Sequence, residues 1–173
     1  QIVREPFARF RQLRMQSLPL FDDPPSFNRD ALAEKLRELA GQGIYLGGSS
    51  WKYEGWMGQI YTPDRYYSRG RFSKKKFEEN CLTEYSETFP VVCGDFSFYQ
   101  FPSPEFWAKL FGSAPKLKFG LKVPEEITVK CFPTHPRYGP KGGLDNPTFL
   151  DADLFDIAFA QLLLPYRAQV GVL

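Results

Sequence analysis

The chain has 173 residues, of which 43% are hydrophobic, and this is enough for one domain with a substantial core. The 22 Lys and Arg against 20 Asp and Glu leave a formal net charge of +2, which argues against nucleic acid as a partner. No stretch approaches the roughly 20 continuous apolar residues of a membrane helix, so no membrane partner is expected.

An N-terminal arm and one helix are predicted over residues 1–43. The adjacent prolines Pro24 and Pro25 exclude a regular helix in the arm. Asn28 is a suitable N-cap for a helix of about three turns, which ends at Gly41. The apolar run 44–46 then predicts a first, buried strand.

Strands and helices alternate along the rest of the chain. The predicted elements are a helix capped by Ser73, a strand over 91–96, a helix capped by Ser103, a strand over 117–122, a helix capped by Asp151 or Asp153, and a strand over 170–173. Short apolar strands that alternate with helices indicate a parallel α/β sheet, either doubly wound or a (β/α) barrel. A nucleotide-binding doubly wound fold is disfavoured because neither GxGxxG nor GxxxxGK[ST] follows a strand.

The segment GGSSWKYEGW, residues 47–56, places glycines beside large aromatic side chains directly after the first predicted strand. We expect Gly47 and Gly48 to end the strand and to let the chain turn sharply. We expect Trp51, Tyr53 and Trp56 to form the wall or cover of a site, with packing of an arm over the domain as the alternative.

This motif does not stand alone. It continues through Trp56, Gly58 and Tyr61, and is followed by FYQFP at 98–102 and by FGLKVP at 119–124. From about residue 44 onward the series resembles the YecE-like family of domains of unknown function, family 72. The resemblance implies a TIM-like (β/α) barrel and no assigned reaction.

The resemblance also implies that the domain is incomplete in this chain. Four strands are predicted, whereas a TIM barrel has eight. Residues 44–173 are therefore expected to form about the first half of the barrel, as four β-α units after the arm and helix of 1–43. Because half a barrel leaves a parallel strand with an open edge, the remainder of the barrel in a longer chain is the expected partner.

Candidate site residues follow from the rule that barrels place their working residues at the carboxyl ends of strands and on the following loops. The candidates for catalysis are Asp95, Lys122 and His135, and those for ligand binding are Ser49, Trp51, Ser97, Tyr99 and Arg137. Asp95 and Lys122 end neighbouring strands, about 4.8 Å apart, and are expected to form an ion pair. The long loop over 123–150, which carries His135 and Arg137, is interpreted as a lid or site wall.

Each of these candidates has a structural alternative. Lys122 is either a contact for an anion or carbonyl or a purely structural partner of Asp95, and His135 is either functional or a surface loop residue. Where the family usually has Glu, Asn and Thr, this sequence has Cys93, Asp95 and Ser97. Cys93 lies in an apolar strand and is interpreted as a buried, inert thiol.

The predicted function is that of a cytoplasmic barrel protein that acts on a small polar or anionic molecule. Lys122 and Arg137 would hold negative charge, and Asp95 or His135 would move protons. A non-catalytic ligand-binding or scaffold module is the alternative. One histidine and three scattered cysteines leave no recognisable metal site, and the sequence leaves any cofactor unknown. The odd number of scattered cysteines favours a reducing compartment.

Overall fold

The computed structural model describes residues 27–173, so residues 1–26 of the predicted N-terminal arm lie outside the described part of the chain. The strands are β1 (Gly47–Gly48), β2 (Tyr67–Ser68), β3 (Arg71–Phe72), β4 (Val91–Gly94), β5 (Lys118–Leu121) and β6 (Val170–Val172). One sheet has the order β1-β4-β5-β6 with every pair parallel, and β2 and β3 form a separate hairpin. The predicted parallel α/β sheet is confirmed, and the sheet formed by residues 27–173 is open.

Helices connect these strands. They are α1 (Arg29–Gly41), α2 (Pro63–Tyr66), α3 (Lys74–Thr88), α4 (Phe96–Tyr99), α5 (Pro104–Ser113), α6 (Glu125–Thr128), α7 (Ala152–Phe155) and α8 (Gln161–Leu163). A π-helical turn, Asp156–Ala160, joins α7 to α8, and 3₁₀ turns cover Glu54–Trp56, Pro136–Lys141 and Leu164–Tyr166. Within residues 27–173, no helix is long and apolar enough to cross a membrane.

The predicted caps begin four of these helices. Each cap side chain accepts a hydrogen bond from a backbone N–H in the first turn, which satisfies one of the donors that a helix leaves unpaired. The donors are Ala31 N to Asn28 at 3.0 Å, Lys76 N to Ser73 at 3.4 Å, Phe106 N to Ser103 at 3.2 Å, and Leu154 N to Asp151 at 2.9 Å. Of the two aspartates considered for the last helix, Asp151 is the cap.

The core lies between one face of the sheet and the helices. Val92 and Phe119 face this side and are fully buried. Cys93 projects from the opposite face, because successive residues of a strand alternate between faces, and its thiol is exposed. The interpretation of Cys93 as a buried thiol is therefore wrong: no helix of the described chain covers the face on which it lies.

The first strand also differs from its prediction. The strand is Gly47–Gly48, whereas Ile44, Tyr45 and Leu46 are 48%, 45% and 50% exposed. β1 pairs only with β4, so it forms an edge of the sheet. The apolar run before it lies beside that open edge and is not buried by any part of residues 27–173.

A buried carboxylate joins α1, α2 and α3. Glu84 of α3 is 1% exposed and accepts hydrogen bonds from Thr62 N at 2.9 Å, from Thr62 Oγ1 at 2.6 Å and from the Tyr66 hydroxyl at 2.6 Å. The Arg29 guanidinium lies 3.1 Å away. Burial raises the pKa of Glu84, but the hydrogen bonds from Thr62 and Tyr66 and the charge of Arg65 outweigh it, so the pKa lies below its ordinary value.

This depressed pKa predicts an acid-sensitive contribution to stability. The ionised Glu84 stabilises the fold fully above pH 4.5, the ordinary carboxyl value, and the contribution is lost as the pH falls through the lower folded-state pKa. In urea unfolding, the difference in free energy of unfolding between the wild type and Glu84→Gln should therefore be largest near neutral pH and should shrink below pH 4.5. A difference that is constant across this range would contradict the prediction.

Candidate functional site

Two buried tyrosines hold the glycine and serine segment that follows β1. The Tyr85 hydroxyl accepts a hydrogen bond from Gly48 N at 2.7 Å and donates to Val91 O at 3.0 Å, so it joins β1 to β4. The Tyr61 hydroxyl donates to the backbone oxygen of Trp51. Burial raises the pKa of Tyr85 to about 12, so both of its hydrogen bonds persist at neutral pH.

Gly47 explains why this segment begins with glycine. A Cβ on Gly47 would lie 1.8 Å from Val91 O, which is far inside van der Waals contact. Only glycine allows β1 to approach β4 this closely. The two glycines make up the whole of β1 rather than the end of a strand over 44–46, and the chain then leads to Trp51.

A cavity of about 630 Å³ lies beyond the carboxyl ends of β1 and β4, between α3 and α5. Three predicted site residues line it: Ser49, Trp51 and Asp95. The two helices are joined at one side by a hydrogen bond from Thr83 Oγ1 to Ser113 O, 2.9 Å long. The volume is in the ordinary range of small-molecule sites, about 300–1,000 Å³.

The aromatic side of the cavity is built on Phe96. Its ring makes an edge-to-face contact with Trp51, with centroids 5.9 Å apart, and lies 5.1 Å from the Phe106 ring. Trp51 is only 9% exposed, whereas Phe106 is 37% exposed. Trp51 therefore lines this cavity, and its role in the wall of a ligand site stays a prediction.

Trp56 and Tyr53, by contrast, do not line this cavity. Trp56 stacks on Tyr85 and Phe89, with centroids 6.3 and 5.9 Å apart, and Tyr53 packs against the edge of Trp56. The interpretation of these two rings as part of a site wall is thus corrected. They belong to the packing of the first loop against the last turns of α3.

The predicted ion pair between Asp95 and Lys122 is confirmed, with Lys122 Nζ 2.9 Å from Asp95 Oδ1. The hydrogen bond to Asp95 and the charge of that carboxylate raise the pKa of Lys122, so the amine stays protonated. The side chains are 59% and 47% exposed, so the pair contributes little to stability. Lys122 is a cation already neutralised by its neighbour.

Ser97 and Arg137 are also bonded to other residues of the chain. The buried Ser97 hydroxyl donates to Lys122 O at 2.7 Å, which ties α4 to the end of β5. Arg137 lies over the Tyr99 ring at 4.4 Å and donates a hydrogen bond to Glu125. Arg137 therefore has a carboxylate partner, as Lys122 does, and the proposed pair of anion-holding cations has no uncompensated charge.

The long segment between β5 and α7 is folded on itself. It contains α6 and a 3₁₀ turn, and Asn146 donates to Glu126 O and Val129 O at 2.9 and 2.8 Å. His135 caps the 3₁₀ turn, since its Nδ1 accepts a hydrogen bond from Arg137 N at 3.2 Å, and its side chain is exposed. The segment lies next to the strand ends through the contact of Arg137 with Tyr99, but it does not line the cavity.

Sequence reasoning missed the charged residues of the cavity. Lys52 follows Trp51, Glu78 and Glu79 project from α3, and Lys109 projects from α5. In the sequence, each of these residues has the pattern of an ordinary solvent-facing charge. They line one cavity only because α3 packs beside α5, and no local pattern predicts that packing. Among residues 27–173 there is no group of three His, Cys, Asp or Glu able to hold a metal ion.

The fold and the cavity together define a parallel α/β protein with a candidate ligand site at the carboxyl ends of its strands. The model of one family, described as protein of unknown function DUF72, matches residues 45–139, more than half of the 173 residues. The chain belongs to the DUF72 family, as the sequence motifs indicated. No curated protein and no solved structure matches the chain.

Proposed function

We propose that residues 44–173 form the first half of a (β/α) barrel domain that binds a small polar molecule at the carboxyl ends of its strands. The observation that carries this proposal is the cavity of about 630 Å³ at the ends of β1 and β4, lined by Ser49, Trp51 and Asp95. Parallel α/β sheets characteristically bind ligands at this end of their strands.

Two features of the sheet support a barrel. Its strands follow one another in chain order, without the reversal of direction that a doubly wound sheet requires. Its helices pack on one face, whereas Cys93 and Val172 are exposed on the other. Parallel sheets are normally buried on both faces, so the remainder of the barrel in a longer chain is the proposed cover.

Binding is better supported than catalysis. Lys122 is neutralised by Asp95 and Arg137 is paired with Glu125, so neither offers an uncompensated positive charge to a substrate. His135 caps a turn outside the cavity, so it does not reach a molecule bound there. Catalysis is the second candidate, because the Asp95 carboxylate lies in the cavity wall, where it could contact a substrate. The free cysteines Cys81, Cys93 and Cys131 support a reducing, cytoplasmic location.

Filling the cavity tests the proposal. A panel of amino acids, sugars and carboxylic acids at millimolar concentration should contain at least one compound that raises the melting temperature of the full-length protein, because a ligand that binds only the folded state stabilises it. Ser113→Trp should abolish that shift, since the new ring would occupy the cavity that Ser113 lines.

Ser86→Trp is the matched control. Both serines donate a 2.7 Å hydrogen bond to a carbonyl of their own helix, but Ser86 lies outside the cavity. The ligand-induced shift should survive in this variant. An equal shift in Ser113→Trp, or no shift with any compound of the panel, would overturn the proposal.

A further inference from the structure

We propose that the cavity between α3 and α5 binds a zwitterion with an aromatic or apolar side group, which is the chemistry of an α-amino acid. This inference rests on the proposed function, since it names the ligand class of the same cavity. It follows from how charge and apolar surface are distributed over the cavity walls.

The charges of opposite sign lie on different walls. The α3 wall carries Glu78 and Glu79, whereas Lys52 on the loop after β1 and Lys109 on α5 supply the cations. Within residues 27–173, none of these four residues forms an ion pair. The opposed charges are thus more than 4.0 Å apart, so none of them is neutralised by another across the cavity.

Asp95, which also lines the cavity, does not change the balance between positive and negative charge on its walls. Its carboxylate is held by Lys122 at 2.9 Å, so the pair adds no net charge to the cavity. The lining therefore has two uncompensated cations and two uncompensated carboxylates. A ligand with one positive and one negative group would complement both walls, whereas a simple anion would leave the two glutamates without a partner.

The floor between the charged walls is apolar. Leu82 of α3 and Leu110 of α5 are nearly buried, and the rings of Trp51, Phe96 and Phe106 adjoin them. Aromatic rings and leucines bury an apolar side group favourably. An amino acid with an aromatic side chain places its ring on this floor and its two charges towards the lysines and glutamates.

Isothermal titration calorimetry of the full-length protein with three probes tests the inference. The probes are L-phenylalanine, 3-phenylpropanoate, which lacks the amine, and 2-phenylethylamine, which lacks the carboxylate. L-Phenylalanine should bind about tenfold more tightly than either analogue, because each lost charge-assisted contact is worth about one such factor.

Variants that remove a charge should distinguish the contributions of the two walls to binding. Lys109→Met should weaken L-phenylalanine and 3-phenylpropanoate by about tenfold and leave 2-phenylethylamine unchanged. The double variant Glu78→Gln/Glu79→Gln should weaken L-phenylalanine and 2-phenylethylamine and leave 3-phenylpropanoate unchanged. A merely structural role for these residues would affect all three probes alike, and that result would overturn the inference.

Lys116→Met and Glu34→Gln are the controls, since both residues are exposed charges outside the cavity. Neither should change the affinity of any probe. If an analogue binds as tightly as L-phenylalanine, or if no probe binds, the zwitterion inference is wrong. The proposed function still stands in that case if another compound gives a melting-temperature shift that Ser113→Trp abolishes, so the two failures can be told apart.

Discussion

Glu84→Leu should destabilise the protein by about 3–5 kcal/mol, the range found when one partner of a buried ion pair is removed. Leucine fills much of the volume but accepts no hydrogen bond, so Thr62 N and the buried Tyr66 hydroxyl lose their acceptor. Arg29 of α1 loses the nearer of its two carboxylate partners and keeps only the exposed Glu87, 3.6 Å away. In thermal unfolding the midpoint should fall by roughly 10 °C for a chain of this size.

Glu87→Gln is the control for this prediction. Glu87 lies one helical turn further along α3 and is 41% exposed. It contacts the same two arginines, Arg65 at 3.0 Å and Arg29 at 3.6 Å, but from the surface. Exposed pairs of this kind contribute little, so the free energy of unfolding should change by no more than about 0.5 kcal/mol. Equal effects of Glu84→Leu and Glu87→Gln would show that the buried network is not what joins α1 and α2 to α3.

The helix that carries Glu84 could be predicted from the sequence, but the hydrogen-bond network of Glu84 could not. The helix was predictable because Ser73 caps it and the apolar spacing from Phe77 onward is helical. Glu84 itself reads as an ordinary polar residue beside Tyr85. Its burial depends on Arg29 and Thr62, which are 55 and 22 positions away, and no local pattern reveals such partners.

The sheet, too, was predictable only in the features that depend on local sequence. Local signals predicted that the strands alternate with helices and that Asp95 meets Lys122, because both depend on short apolar runs and on the spacing of parallel strands. They did not predict that Cys93 is exposed, since that depends on which face of the sheet the helices cover. The charged residues of the cavity were not predicted for the same reason, because only the packing of α3 beside α5 brings them together.

Gly94→Ala should reshape the cavity and reduce ligand binding. A Cβ on Gly94 would lie 2.2 Å from the nearest atom of the Phe96 ring, so the ring must move. Its contacts with Trp51, Phe106 and Trp107 oppose that movement, so we expect a loss of stability of about 1–3 kcal/mol, as for other overpacked sites. The displaced ring would also disrupt the aromatic side of the cavity, and any ligand-induced melting shift of the wild type should largely disappear.

Gly112→Ala separates this effect from the general consequences of replacing glycine. Gly112 lies in α5, and a Cβ there would meet no atom within 4 Å. Because alanine favours the helix over glycine by about 1 kcal/mol, this variant should be as stable as the wild type or more so. It should also keep the ligand-induced shift. If Gly94→Ala keeps both its stability and the shift, the Phe96 ring is not part of the ligand site.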